Sequence, residues 1–334
     1  MDFRLEFRRY CLPFRSPVRT SRGEWTAREG LLVRVERPDG SVGFGEAAPV
    51  PSFGRETVGE AEAFCLSLGG RVGAEAPAQV PANLGALRNA LACAFGGVCG
   101  AARHRSLGVA ALLPPGRAAI ADAPPKADAG FRVFKWKVGA GAADDEMAIL
   151  DDLLGGLPGG SRIRLDANGA WDRRTAEKWL GCASERPVEF VEQPVAPDSK
   201  GAEDNLLGLA ADFPVPIGLD ESVADEADVA RWLGLGWRGY FVIKPTLIGD
   251  VRGALGMLAA AHARVVFSSA LETGVGAQAA LRLAFAWPGK MSALGFGVWP
   301  LFADARFDGP ASAPFIRIED VERIKPEELW NAAG

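Results

Sequence analysis

Six short apolar runs constrain this chain most, because each ends in polar residues and each is followed by a helix-like stretch. The runs are RVFKWKVG, SRIRLDANG, VEFVEQPV, VPIGLDES, GYFVIKPT and RVVFSSALE. Polar residues that end the first five runs follow one another at intervals of 29, 26, 28 and 24 residues, in the series Lys137, Asp166, Glu192, Asp220 and Lys244. Since each interval fits one strand and one helix, the rhythm predicts a parallel sheet of βα units.

Two architectures fit this alternation, a doubly wound open sheet and a (β/α) barrel of TIM type. In a barrel the carboxyl ends of the strands converge on one mouth, whereas an open sheet binds ligands only at a switch point. Five consecutive strand ends carry ionisable residues here, and their convergence favours the barrel. We therefore predict an α/β fold with a TIM-type (β/α) barrel over residues 106–304, with the candidate site at its mouth.

The first hundred residues lack this alternation of short apolar runs and helix-like stretches. LLVRVERPDGSVGFGEAA predicts a hairpin around a Pro-Asp-Gly turn, and residues 57–68 and 83–98 have helical patterns. LLPPGRAAIADAPPKADAG predicts a strand with Pro-rich loops around it. This change in sequence pattern predicts a domain boundary between about residues 100 and 112, with a separate α+β domain over residues 1–105.

Composition excludes several classes of function. The net charge is −5 without a basic block, so nucleic acid is not an expected partner. No window approaches the roughly 18 apolar residues of a membrane helix, and the N-terminus lacks the apolar run of a signal peptide. The five cysteines form no C-x-x-C pair, as expected of reduced thiols in a cytoplasmic protein. We expect a cytoplasmic protein, a monomer or homo-oligomer, that acts on a small molecule.

Three carboxylates stand at three consecutive predicted strand ends, Asp166, Glu192 and Asp220. If the three carboxylates lie together at a barrel mouth from which water is excluded, they would repel each other unless a cation neutralised them. An all-oxygen ligand set suits a hard divalent ion, and Mg²⁺ is the ion that we predict. Each carboxylate could instead cap its following helix, but three at matching positions between two lysine-bearing strands favour a metal site.

The lysines of the first and fifth runs complete the pattern. Lys135 and Lys137 lie two residues apart and so share one face of a strand. A second ammonium and a nearby metal disfavour protonation, so Lys137 could act as a general base, although both lysines could also be solvated. Lys244 follows an apolar run, where an ion pair to Asp220 or Glu221 would be its structural role. Together these groups predict proton abstraction next to a carboxylate.

These motifs resemble the enolase superfamily and its muconate-cycloisomerase-like subgroup. The resemblance rests on K-x-K at Lys135 and Lys137, DAN at Asp166, VEQP at Glu192, LDES at Asp220 and IKPT at Lys244. It implies an N-terminal α+β capping domain, completed by about residues 305–334, over a modified TIM-type (β/α) barrel that carries the active site. TSRGEWTAREGLLVRV, GFGEAAPVPSFGRET and VVFSSALETGVG are most similar to the o-succinylbenzoate synthases of menaquinone biosynthesis.

That family implies a carbon–oxygen lyase that converts 2-succinyl-6-hydroxy-2,4-cyclohexadiene-1-carboxylate to o-succinylbenzoate by syn elimination. Lys137 would take the proton, Mg²⁺ on the three carboxylates (or Mn²⁺ as a substitute) would bind the enediolate, and Lys244 would stabilise it from the opposite face. The resemblance also places substrate-contacting or supporting groups at seven further positions, Lys135, Arg164, Asn168, Ser268, Ser269, Glu272 and Gly295. For Glu272 the sequence leaves open a place on the mouth or an ion pair to a lysine. Gly297 departs from the family, which often has Asp there.

Alternatives remain open at this stage. N-acylamino acid racemases and dipeptide epimerases of the same superfamily need bases on both faces, and Lys137 with Lys244 would supply them. Muconate cycloisomerases share the metal triad as well. A catalytically silent small-molecule binding protein is the alternative from a different class. A nucleotide-binding protein is not supported, because no GK[ST] motif follows the Gly-rich fragments.

Overall fold

The computed structural model describes residues 2–20, 23–50, 53, 55–97 and 100–333. Parts of the two family-like segments in the N-terminal region lie outside these ranges, as does one of the five cysteines. The positions concerned are Ser21, Arg22, Pro51, Ser52, Gly54 and Cys99.

The described part of the N-terminal region, called the cap below, is an antiparallel sheet in the order β3-β2-β1-β4 with three helices. Its strands are β1 Phe3–Thr20, β2 Gly23–Glu36, β3 Val42–Ala47 and β4 Arg71–Val72. Its helices are α1 Val58–Leu68, α2 Ala76–Gln79 and α3 Gly85–Ala94. The predicted hairpin is therefore confirmed as β2 and β3, and both predicted helices are present, the second in a shorter form.

Close packing of α3 on β3 explains two glycines of the hairpin. A Cβ at Gly45 would overlap the carbonyl oxygen of Ala90, and one at Gly43 would overlap that of Ala94.

Thr57 caps the N-terminus of α1. Its hydroxyl accepts from the N–H of Glu60, and the Glu60 carboxylate accepts from the N–H of Thr57.

The barrel begins after β5 Ser106–Gly108 and contains seven parallel strands in the order β12 to β6. These are β6 Ala111–Leu113, β7 Val133–Lys137, β8 Arg162–Asp166, β9 Val188–Glu192, β10 Ile217–Leu219, β11 Tyr240–Ile243 and β12 Arg264–Phe267. The last six coincide with the six apolar runs, so the predicted parallel sheet is confirmed.

An irregular segment closes the ring between β12 and β6. Gly295 forms a parallel bridge with Ser268, and Leu294 forms one with Val109. Backbone hydrogen bonds join both sides, from Gly295 N to Phe267 O at 2.8 Å and from Ala110 N to Leu294 O at 2.9 Å. This segment takes the eighth position of the barrel, which confirms the closed architecture over an open sheet.

Seven helices follow the barrel strands on the outside. They are α4 Ala118–Asp128, α5 Ala143–Gly155, α6 Arg173–Ser184, α7 Ala202–Asp212, α8 Glu226–Gly234, α9 Val251–Ala260 and α10 Gly274–Ala286. The first corrects our prediction of Pro-rich loops, because α4 contains Pro124 and Pro125 in its interior. Buried Ala119, Ala123 and Ala127 recur every four residues, and this buried face holds the segment helical despite the two missing N–H groups.

The C-terminal segment returns to the cap. It contains β13 Phe315–Arg317, which pairs with β5, and the helices α11 Ile318–Glu322 and α12 Pro326–Ala332. The guanidinium of Arg8 lies 4.4 Å from the ring centroid of Trp330. The predicted domain limits at residues 105 and 305 stay a prediction. No helix within the described ranges is long and apolar enough to cross a membrane.

A buried polar cluster joins cap and barrel, and we call Arg28, Glu46 and Glu272 the cap–barrel joint. The Arg28 guanidinium donates to backbone carbonyls on both sides, among them Pro49 at 2.7 Å and Leu271 at 3.1 Å. Glu46 accepts from the N–H groups of Thr273 and Gly276 at the start of α10. The joint therefore fixes the cap over the mouth of the barrel.

Candidate active site

A cavity of about 250 Å³ lies at the carboxyl ends of the barrel strands, beneath the cap. The barrel contributes its polar floor, Lys135, Lys137, Asp166, Asn168, Asp220, Glu221 and Lys244, and a wall at Ser268, Ser269, Gly295 and Gly297. The cap contributes Val18, Glu24, Trp25, Val50 and Phe53. The five strand-end residues of the sequence pattern therefore meet at one place, four of them on the cavity surface.

The three carboxylates are brought together by strand register. Asp166 pairs with Glu192 between β8 and β9, and Glu192 pairs with Gly218, two residues before Asp220, between β9 and β10. Asp166, Glu192 and Asp220 are all nearly inaccessible to solvent, and Glu192 lies beneath the cavity rather than on its surface. Three neighbouring strands thus place three buried carboxylates at one end of the barrel.

Lys135 pairs directly with two of these carboxylates. Its Nζ lies 2.9 Å from Asp166 Oδ2 and 2.6 Å from Glu192 Oε1. Burial alone would lower the pKa of Lys135, but the surrounding carboxylates outweigh it and hold that pKa above its usual value. Lys135 and Lys137 do share a face, as predicted. The pairing nevertheless offsets the repulsion that we predicted Lys135 to exert on Lys137.

Lys137 and Lys244 face each other across the barrel. They end β7 and follow β11, which are four positions apart in a ring of eight. Lys244 forms an ion pair with Asp220, the structural role considered from the sequence, and its Nζ lies 4.8 Å from the ring centroid of Phe53. Lys137 is partly exposed on the cavity surface. The two cations thus stand on opposite sides of the carboxylates.

The donor set fits a divalent ion by its chemistry. Within the described ranges no three His, Cys, Asp or Glu side chains are arranged to hold a metal ion. Lysine ammoniums pair with the carboxylates of Glu192 and Asp220 instead. Burial raises the pKa of Glu192 to about 8 and that of Glu221 to about 7. Glu221 Oε2 is also buried without a hydrogen-bond partner. The raised pKa values show that an ionised carboxylate is costly at these buried positions, and a bound cation would offset that cost, so the oxygen ligands suit Mg²⁺.

Other predicted site residues also lie at the cavity. Asn168 donates its N–H to Asp166 Oδ1 at 3.1 Å and its side-chain amide to Glu221 Oε1 at 3.1 Å. Ser268, Ser269 and Gly295 lie on the wall. At Gly297 a Cβ would overlap the carbonyl oxygen of Ala110, so this backbone leaves no room for the Asp that the family often has.

Two predicted site residues lie away from the cavity surface. Arg164 does not line the cavity, because its buried guanidinium pairs with Glu189 at 2.8 Å and donates to Ala293 O at 2.7 Å inside the barrel. Glu272 neither lines the mouth nor, within the described ranges, pairs with a lysine. Its buried carboxylate accepts from Ser269 Oγ at 3.1 Å and from the N–H of Ala270. Both are supports beneath the cavity wall.

Trp25, Phe53 and Glu221 are among the lining residues that sequence reasoning did not assign to the site. Glu221 directly follows Asp220 in LDES, so its place at a strand end was a usable signal. Trp25 and Phe53 lie in the two cap segments whose sequences resemble the family, but no local pattern shows that these segments cover the barrel.

Comparisons with known proteins agree with this geometry. The chain matches the family model "Enolase C-terminal domain-like" over residues 118–315 and "MenC, N-terminal domain" over residues 4–93. It is 40% identical over 301 residues to an o-succinylbenzoate synthase from Thermosynechococcus vestitus, covering 88% of this chain and 92% of that protein. A hydrophobic dipeptide epimerase from Roseobacter litoralis is 29% identical over 250 residues, 69% of this chain and 72% of that protein. The crystal structure of o-succinylbenzoate synthase from Thermosynechococcus elongatus BP-1, complexed with Mg in the active site, has a TM-score of 0.84 at 37% identity, covering 98% of this chain and 99% of that chain.

Proposed function

Since the chain belongs to the enolase superfamily and, within it, to the o-succinylbenzoate synthase family, we propose that Lys137 is the base of its reaction. As a member of that family the chain is a hydro-lyase of menaquinone biosynthesis. The substrate taken from the family resemblance is 2-succinyl-6-hydroxy-2,4-cyclohexadiene-1-carboxylate. Elimination breaks one C–H bond and one C–O bond, releases water and leaves an aromatic ring.

The placement of Lys137 carries this assignment. It lies on the cavity surface at the end of β7, and Lys244 lies across the ring at the end of β11. Lys135 is held by Asp166 and Glu192, so Lys137 is the lysine of this strand that can reach a substrate. It would take the proton next to the ring carboxylate and then, as an ammonium, return it to the departing hydroxyl.

Asp166, Glu192 and Asp220 would hold Mg²⁺. When bound, the ion would supply positive charge against the second negative charge that develops on the substrate carboxylate. Lys244 would add a cation on the opposite side, and the ring of Phe53 would help to hold that ammonium in place. Its ion pair with Asp220 would have to loosen when the ion binds.

The rest of the cavity would orient the substrate and exclude water. Trp25, Val50 and Phe53 give the cap side an apolar surface that suits a six-membered ring. Ser268 and Gly295 lie together on the barrel wall of the cavity, where the succinyl carboxylate would bind, and Ser269 lies beside them. We further expect Mn²⁺ to replace Mg²⁺, and a cytoplasmic enzyme that works as a monomer or homo-oligomer.

A second reaction is favoured by one observation, the opposed pair Lys137 and Lys244. Two bases on opposite faces can remove a proton from one side and return one to the other, as racemases and epimerases require. The relative named a hydrophobic dipeptide epimerase fits this chemistry. We keep racemisation of an N-acylamino acid, or epimerisation of a dipeptide, as the alternative activity of the same site.

The test is an assay of the purified chain with Mg²⁺, with a chelator, and after Mg²⁺ is restored. Aromatic product should form only with the ion present, while N-acylamino acids and dipeptides should be racemised slowly or not at all. Asp166→Asn should lose activity, and the control Asp304→Asn, on the protein surface, should keep it. Racemisation without dehydration would promote the alternative, and no turnover of any carboxylate would favour a silent binding protein.

A further inference from the structure

Gln193 follows Glu192 and is completely buried. Its backbone is in the left-handed region, with a φ of 40°, a conformation that residues other than glycine seldom adopt. The backbone is fully engaged as well, since its N–H donates to Gly218 O at 2.8 Å and its carbonyl accepts from Gly169 N at 2.7 Å. A strained backbone held by such bonds indicates a position that the fold strongly determines.

The side-chain amide of Gln193 uses its full hydrogen-bonding capacity. Nε2 donates to Val195 O at 2.9 Å and to Ser222 Oγ at 2.8 Å. Oε1 accepts from Asp220 N at 3.0 Å and from Ser222 N at 3.2 Å. Two donors and two acceptor positions are all that an amide of this kind offers.

The residues that bond to the Gln193 carbonyl and to its side chain lie beyond the ends of three strands. Gly169 follows β8, Val195 follows β9, and Asp220 and Ser222 follow β10. Those three strands carry the three carboxylates that would hold the ion. Asp220 lies just outside the strand ladder, and the bond from its N–H to Gln193 fixes its backbone against β9.

From this placement we infer that Gln193 is a positioning residue that sets the spacing of the Glu192 and Asp220 carboxylates and thereby the affinity for Mg²⁺. The inference rests on the proposed function, because it takes both carboxylates as ligands. The bonds of the amide to Asp220 and Ser222 join the segment after β10 to the end of β9, so without the amide that segment would relax away from β9. Outer groups that orient metal ligands typically change metal affinity by roughly 10–100-fold when they are replaced.

Gln278 offers a matched control. It too is a buried glutamine, and its Nε2 donates to Val321 O at 2.9 Å and Ile324 O at 3.0 Å. It lies on α10, where its bonds tie that helix to the C-terminal segment rather than to the cavity. Gln193→Met and Gln278→Met keep side-chain length and remove the amide, so both should lower stability, and only the first should affect the ion.

The experiment is a calorimetric titration of the metal-free protein with Mg²⁺, alongside the Mg²⁺ dependence of dehydration. We expect Gln193→Met to raise the dissociation constant about 10-fold or more, and Gln278→Met to change it less than about 2-fold. Ser222→Ala, which removes one partner of the amide, should shift it in the same direction by less. If Gln193→Met does not fold, the comparison of Ser222→Ala with Gln278→Met decides.

The possible failures are distinguishable. A wild-type protein that binds Mg²⁺ while Gln193→Met, or failing that Ser222→Ala, binds it equally well would overturn the inference and leave the proposed function intact. A wild-type protein that binds no Mg²⁺ would overturn both. An equal loss of affinity in Gln193→Met and Gln278→Met would show a general effect of stability, which also overturns the inference.

Discussion

The cap–barrel joint and the cavity are both buried and charged, but their charges have different partners. In the joint, Arg28 donates to backbone carbonyls of two separate segments, at Pro49 and at Leu271. Glu46 accepts from backbone N–H groups at the start of α10. Backbone partners of this kind cannot exchange without local unfolding.

In the cavity, charged side chains pair with one another. Lys135 binds Asp166 and Glu192, and Lys244 binds Asp220. Such pairs can exchange partners by rotamer changes, so an ion and a carboxylate substrate can enter without breaking the backbone. The comparison predicts that changes in the joint mainly alter stability and that changes in the cavity mainly alter activity.

The largest expected effect is that of Lys137→Ala. Loss of the base should lower kcat about 10³-fold, within the range for general acid–base groups, with a change in unfolding free energy below about 1 kcal/mol. Product formation and urea unfolding measure the two quantities. Lys178→Ala, which removes an exposed lysine, is the control and should leave both unchanged. Full activity of Lys137→Ala would remove it as the base.

Arg28→Met should have the opposite signature. It leaves several buried carbonyls without donors, which should lower the unfolding free energy by about 3 kcal/mol. Urea denaturation measures this loss, with Arg306→Met on the surface as the control. The Mg²⁺ dissociation constant of the folded variant should stay within a few-fold of the wild type. A stable variant that loses Mg²⁺ binding would contradict the division between the regions.

The joint should also give stability a pH dependence through Glu272. Burial, with a contribution from Glu46, raises the pKa of Glu272 to about 7 from a usual value near 4.5. The folded state therefore binds the proton more tightly than the unfolded state. Its stabilising contribution is complete below about pH 4.5 and is lost as pH rises through 7, at up to about 1.4 kcal/mol per pH unit.

Glu272→Gln should remove this contribution. Between pH 5 and pH 8 the unfolding free energy of the wild type should fall by about 2 kcal/mol more than that of the variant. Urea titrations at several pH values provide the measurement. Parallel curves for the two proteins would show that the Glu272 carboxyl is not the titrating group.

The smallest expected effect lies in the cap, away from both regions. Thr57→Ala removes the capping hydroxyl of α1 and should lower the unfolding free energy by about 1 kcal/mol, with kcat and Mg²⁺ affinity unchanged. Ser67→Ala, near the other end of the same helix, is the control with an exposed hydroxyl. A change in kcat would mean that the cavity depends on the whole cap and not only on the joint.

Periodicity predicted the parallel sheet, and the ionisable residues at five consecutive strand ends favoured a barrel over an open sheet. Each apolar run fits one strand, and parallel strands must present their carboxyl ends on one side. The same reasoning located Lys137, Asp166 and Asp220 on the cavity. The similarity of the cap sequence to the o-succinylbenzoate synthases predicted this family, and the comparisons confirmed it.

What the sequence could not supply depends on register and long-range contacts. The pairing of Lys135 with Glu192 requires the relative register of β7, β8 and β9, which no local pattern encodes. The surroundings of Glu272 were not predicted either, because its carboxylate accepts from Ser269 and Ala270 of its own loop, in a loop conformation that the residue pattern does not encode. The helix α4 was not predicted because it contains two prolines. Its buried face of alanines stabilises the helix only through packing against the barrel, which the local sequence does not show.

The position of a bound Mn²⁺ ion in crystals, read from its anomalous scattering, tests the central claim most directly. We predict one strong peak contacted by oxygens of Asp166, Glu192 and Asp220, between Lys137 and Lys244, with Lys244 withdrawn from Asp220. A peak elsewhere, or none at saturating Mn²⁺ with the carboxylates still paired to Lys135 and Lys244, would contradict the account.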